Sequence, residues 1–81
     1  MNIRMDLRDL APPEPMERIL DALDGLERGQ CLEALTPFRP APLLPILEAR
    51  DYVWHMDADA AGHVRIRICH AADAVLLTEP E

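Results

Sequence analysis

Prolines punctuate this chain. Six of its eight fall in two short bursts, Pro12-Pro13-Glu14-Pro15 and Pro37-Phe38-Arg39-Pro40-Ala41-Pro42. Proline has no N–H to give a ladder and fixes φ at about −65°, so it is excluded from central strands and helix interiors. Each burst must therefore be a turn or the first turn of a helix, and everything regular has to fit between them.

What lies between them alternates in period. Ile3, Met5 and Leu7 share one side of the first run and Arg4, Asp6 and Arg8 the other, the two-residue period of a half-buried strand. After the first burst, Met16, Ile19, Leu20, Leu23 and Leu26 form one stripe against Glu17, Arg18, Asp21 and Asp24, a helix whose prolines sit at its entry and which Gly25 or Gly29 can end. Cys31 to Leu35 reads as a second strand turning Leu32 and Ala34 inward. Leu43 to Arg50 reads as a short helix with Pro45 in its first turn. Tyr52 to Asp57 and Val64 to His70 alternate on either side of a turn and form a hairpin.

The order βαβαββ predicts an α+β fold, a two-layer sandwich with two helices on one face of a four-stranded mixed sheet. Residues 1–70 make one domain and 71–81 a C-terminal tail. The tail is half apolar and open to three readings: disorder, an added strand, or a partner-binding segment. Order is expected to about Leu77, burying Val75, Leu76 and Leu77, with Glu79, Pro80 and Glu81 mobile.

Composition removes most chemistries. With no serine there is no serine nucleophile, and with no lysine no Schiff base and no P-loop lysine. Eight arginines against fifteen acidic residues leave a net charge of −7, which argues against nucleic acid or an anionic membrane as partner. No apolar run approaches the roughly 20 residues needed to cross a bilayer. Met1 to Asp6 has no apolar leader-like run, so a cytosolic chain with reduced thiols is expected. Cys31 and Cys69 form no CxxC pair.

Asp6-Leu7-Arg8-Asp9-Leu10 followed by Pro12-Pro13-Glu14-Pro15-Met16 resembles the start of the TusA-like (SirA-like) sulfur carriers, where a D-x-R-G-L segment leads to a C-P-x-P motif at a helix entry. With Gly29 before the second strand and Pro37 to Leu43 before the second helix, the closer resemblance is to the domain of unknown function 2249 family, over roughly Ile3 to His70. The resemblance implies a sheet order of 1-2-4-3 with the last strand antiparallel to the rest. It also exposes a departure. The carriers load a persulfide on the motif cysteine, whose thiolate a helix N-terminus favours. Here that position is Pro12, so Pro13 and Pro15 keep the scaffold while the nucleophile is gone.

Several residues carry two readings each. Pro12, Pro13 and Pro15 fix a strand-to-helix turn or present a rigid docking surface. Arg8 and Arg18 flank the helix entry and either hold an anion there or, for Arg18, pair with Glu14 one turn back. Arg39 sits in the same way before the second helix. Tyr52, Trp54 and Met56 share the helix-facing parity and read as core. His55, His63 and His70 lack ligand spacing, so neither a metal nor any other cofactor is expected. Paired carboxylates such as Asp57 with Asp59 read as solvated surface.

By parity Arg4, Asp6, Arg8, Glu33, Val53, His55, Asp57, Arg65 and Arg67 point away from the helices, a solvated face with cross-strand pairs such as Asp57 with Arg65. On the sheet order that the resemblance implies, Cys31 and Cys69 also point outward at the same end of neighbouring antiparallel strands. They are then either two reduced, partly buried small hydrophobes or a thiol pair able to oxidise or, with His55 or His70, to bind a soft metal weakly. The functional expectation is a non-enzymatic binding or adaptor domain whose partner is another protein, with the open sheet face or the tail offering a route to a homodimer. The alternative is a thiol-based redox or sulfur-transfer protein using Cys31 and Cys69.

Overall fold

The computed structural model describes residues 2–78. Its elements run β1 (Asn2–Asp6), α1 (Glu14–Leu23), β2 (Cys31–Thr36), a 3-10 turn (Ala41–Leu43) continuing into α2 (Leu44–Ala49), β3 (Tyr52–Ala58), β4 (Val64–His70) and a C-terminal segment of 3-10 turns (Ala71–Leu77). The four strands form one mixed sheet in the order β1-β2-β4-β3. β1 runs parallel to β2, and β4 runs antiparallel to both β2 and β3. This is the expected α+β architecture and strand order.

Local chemistry sets the boundaries. α1 begins one residue after Pro13, with Pro15 in its first turn, where a missing N–H breaks no helical bond. It ends at Leu23, short of Leu26, because the Gly25 and Leu26 amides fold back onto the carbonyls of Ala22 and Leu23. Leu26 leaves the helix yet stays buried in the core. Gly29, at φ +85°, then reverses the chain into β2. In α2, Pro45 occupies the first turn, as its chemistry requires. In the β3–β4 turn the Asp59 carboxylate accepts hydrogen bonds from the amides of Ala61 and His63, a local side-chain turn that closes the hairpin.

One face of the sheet packs on the helices. Ile19 and Leu23 of α1 and Leu43 and Leu47 around α2 are buried against Leu32, Ala34, Ile66 and Ile68. Tyr52, Trp54 and Met56 pack on the edge of this core, and the Tyr52 hydroxyl donates to the Leu23 carbonyl at 3.2 Å.

The other face is only partly open. The C-terminal segment, which the sequence leaves open between disorder, an added strand and a partner-binding segment, folds over it as 3-10 turns. The Arg67 guanidinium and the Cys69 thiol, both on that face, donate to the carbonyls of Leu77 and Asp73. Those anchors turn Val75 outward, so it is 63% exposed rather than buried, whereas Leu76 and Leu77 are half-buried. The mobile end expected at Glu79, Pro80 and Glu81 lies outside the described residues. Among the described residues no helix is long and apolar enough to cross a membrane.

Candidate functional site

The two proline bursts, 25 residues apart in sequence, meet at one end of the sheet. Pro12, Pro13 and Pro15 from the first and Pro37, Pro40 and Pro42 from the second line an apolar cleft of about 120 Å³, closed by Met16, Thr36, Phe38 and Leu43. The Pro12–Pro13 peptide is cis. Buried Pro15, Pro40 and Leu43 form its floor, and exposed Pro12, Pro13 and Phe38 its rim. Thr36 is buried there, its hydroxyl donating to the Phe38 carbonyl at 2.8 Å, which ties the second loop to the end of β2. Phe38 is 46% exposed, a large apolar ring held at the mouth of an apolar cavity.

The arginines expected near this entry are arranged differently. Arg8 turns back onto Asp6: its guanidinium grips both carboxylate oxygens at 2.9 and 2.7 Å, and its amide donates to one of them. That fork holds the Asp6 carboxyl at about 2. Arg8 borders a separate polar depression with Asp57, Asp59, His63 and Arg65, not the proline cleft. Arg18 and Arg39 are exposed, and no ion pair joins Arg18 to Glu14 among the described residues. Glu14 and Glu17 in the first turn of α1 make its entry unfavourable to an anion.

The outward face is a grid of three rows. The ladder registers align Arg4, Glu33, Arg67 and His55 in one row, and Asp6, Leu35, Arg65 and Asp57 in the next. Asp57 pairs with Arg65 at 2.9 Å, as parity anticipates, and that contact lowers the Asp57 pKa. Glu33, 8% exposed, sits between Arg4 at 2.9 Å and Arg65 at 3.8 Å, so a buried acid is compensated by two cations.

The third row holds the cysteines. Carrying the β2–β4 register one step past Leu32–Ile68 sets Cys31 opposite Cys69, with Val53 opposite Cys69 on its other side. Both are thiols, both face away from the helices, and both are buried, Cys69 completely. Burial pushes the Cys69 thiol up to about 11, with Cys31 and Asp73 adding to the effect. A thiol so disfavoured as an anion is a poor nucleophile while it stays covered.

The histidines separate. His55 contacts Asp57 on the outward face, His63 lies beside Asp59 in the hairpin turn, and His70 turns inward, its Nε2 2.9 Å from the Leu26 carbonyl. Neither His55 nor His70 thus joins the thiols in a cluster, and no group of three or more His, Cys, Asp or Glu among the described residues is placed to hold a metal.

Three participants escaped the sequence reading. Phe38 carried a signal, a lone aromatic between Pro37 and Arg39 in a loop, where a strand or helix face cannot claim it. Arg28 and Asp73, 45 residues apart, carried none, since only the fold of the C-terminal segment brings them together.

A family model described as Uncharacterized conserved protein (DUF2249) matches residues 4–70, which covers the sheet except the first two residues of β1, both helices and every residue of the cleft. No curated protein and no solved structure gives a significant match to the chain.

Proposed function

The chain belongs to the DUF2249 family of uncharacterized conserved proteins, and on that premise we propose that it is a non-enzymatic, cytosolic adaptor domain whose proline-lined cleft takes a side chain of another protein. The observation that carries this is the convergence of six prolines and Phe38 on one apolar cavity. Prolines have little conformational entropy left to lose, so a cleft built from them is pre-organised for a ligand. Its volume of about 120 Å³ is of the order of the ~150 Å³ cavity that accepts benzene. The occupant that fits is one aromatic or branched aliphatic side chain on an extended segment. Charge favours a segment that is basic around this anchor, since the protein carries −7 overall and Glu14 and Glu17 stand at the entry of α1.

The TusA-like frame belongs to the same proposal. Its support is the 1-2-4-3 strand order and the prolines retained at the α1 entry, with Pro12 in the place of the carrier cysteine. Sulfur transfer at that place has no thiol to use, and the two cysteines present are covered on the far face of the sheet. Binding is the activity such a frame retains.

The test is comparative capture together with a defined probe. N-acetyl-phenylalanine amide titrated into labelled protein is expected to shift the amide resonances of Met16, Thr36 and Phe38 before others. Phe38→Asp, at an exposed position, is expected to keep the fold and abolish these shifts. A protein partner bound by the wild type is expected to be lost by Phe38→Asp and kept by the Cys31→Ser/Cys69→Ser double variant. Retention by Phe38→Asp, or loss with the thiols, overturns the proposal.

A further inference from the structure

Three strands of observation converge on the covered end of the sheet, away from the proline cleft. First, register sets Cys31 and Cys69 directly across an antiparallel ladder on the same face. Opposed residues there have Cα atoms about 4.5 or 5.5 Å apart, within the 4.4–6.8 Å that a disulfide spans. Second, the C-terminal segment covers Cys69, whose Sγ donates to the Asp73 carbonyl at 3.3 Å, and both thiols are buried, Cys69 wholly and Cys31 to 6% exposure. Third, the segment buries no residue completely, and polar contacts hold it in place. Arg28 grips both oxygens of Asp73 at 2.8 and 2.9 Å, and the Gly29 amide donates to the same carboxylate at 2.8 Å. Arg67 donates to the Leu77 carbonyl at 3.0 Å, and the Ala71 amide to Asp51 at 2.9 Å. A segment held by polar contacts, with no fully buried residue of its own, opens more readily than the core beneath it.

We propose that Cys31 and Cys69 are a latent cross-strand disulfide site for low-molecular-weight disulfides, closed by the C-terminal segment for as long as Arg28 holds Asp73. This thiol pair is separate from the proline cleft, which lies elsewhere on the molecule. When the segment lifts, Cys31, the less deeply covered thiol, loses its proton to solvent and attacks a disulfide R–S–S–R. The R–S–S–R bond breaks, a mixed disulfide forms on Cys31, and one thiolate leaves. That thiolate accepts the proton of Cys69. The Cys69 sulfur then attacks the Cys31 sulfur and expels the second thiolate, which solvent protonates. Two protein thiols are oxidised by two electrons in all, and one small disulfide is reduced to two thiols.

The experiment follows oxidation of the full, reduced chain by glutathione disulfide at pH 8, by intact mass after acid quenching. The expected end product of the wild type is the internally cross-linked chain, about 2 Da lighter than the reduced one and carrying no glutathione. Arg28→Ala, at a side chain 63% exposed, is expected to reach it about tenfold faster with an unchanged circular dichroism spectrum. Asp73→Asn tests the same latch from the other side. Should either variant fail to fold, its rate will equal that of urea-unfolded wild type, and the other variant decides. An end product with one or two glutathiones and no cross-link refutes the disulfide site. Wild-type rates in both folded variants refute the latch.

Discussion

The Arg28 guanidinium grips both carboxylate oxygens of Asp73, at 2.8 and 2.9 Å, across a separation of 45 residues in the chain. This contact, seconded by the Gly29 amide, holds the Asp73 carboxyl at about 2, against an ordinary 3.8. A carboxyl depressed in the folded state lends stability that is full above its unfolded pKa and lost as pH falls through the folded one. Asp6, held at about 2 by Arg8, acts in the same window. The urea midpoint is therefore expected to stay level from about pH 7 to 5 and to fall between about pH 4 and 2. Asp73→Asn and Asp6→Asn should each remove part of that fall, and an unchanged profile in Asp73→Asn would show that the latch adds nothing to stability.

Cys69 sets the alkaline limit. Its thiol is pushed up from 9.0 to about 11 by burial. The unfolded chain therefore releases this proton at lower pH than the folded one, and stability present below about pH 9 is lost as pH rises toward 11. Cys69→Ala is expected to flatten the decline of the urea midpoint over that interval. If the slopes match in both proteins, burial of Cys69 is not coupled to folding in this way.

The legible parts of the fold were those written in local pattern. Period-two alternation marks β1, β3 and β4, whereas Cys31 to Leu35 is short and mixed; parity sets Asp57 and Arg65 on one face and turns both cysteines outward, because each neighbour in a strand takes the opposite face. The proline bursts marked both helix entries for an equally local reason, the missing N–H. Helix ends were harder: Leu26 keeps the stripe of α1, but turn hydrogen bonds from Gly25 and Leu26 stop the helix at Leu23.

What stayed illegible was non-local. The sequence treats the two proline bursts as separate turns, and nothing in either says that they converge on one cavity with Phe38 at its mouth. Sequence order sets Arg8 against the helix N-terminus that it precedes, whereas the nearer carboxylate of Asp6 takes its Nε and one of its two Nη groups. The tail offered Val75, Leu76 and Leu77 as its apolar content, and the polar anchor Asp73 decided its course instead.

Two left-handed positions make opposite predictions. Gly29 has φ +85° and open space where a Cβ would stand, so Gly29→Ala meets no clash and suffers only the backbone penalty, about 1 kcal/mol. Asp51 has φ +62° just after α2, a place that glycine usually fills. Asp51→Gly is expected to relieve strain there and raise stability by up to about 1 kcal/mol. Chemical denaturation of both variants checks the pair. A destabilised Asp51→Gly would show that the aspartate side chain compensates the backbone.

The sharpest contrast lies between two apolar side chains of opposite purpose. Ile66 is fully buried on the helix-facing side of β4, among Leu32, Ile68 and the helix residues of the core. Ile66→Ala removes three methyl or methylene carbons and leaves a cavity, and is expected to lower stability by about 3 kcal/mol. That is a large share of the roughly 5–15 kcal/mol that hold a domain together. Phe38 is 46% exposed, so truncation gives up far less burial and leaves no enclosed void. Phe38→Ala is expected to shift stability by less than about 1 kcal/mol while removing the ring at the cleft mouth and with it partner binding. A urea titration read beside a binding isotherm separates the two. If Phe38→Ala lowers stability as far as Ile66→Ala does, Phe38 belongs to the core and the cleft loses its claim to a ligand. If Phe38→Ala is stable and binds as the wild type does, the ring is not an anchor and the adaptor surface lies elsewhere.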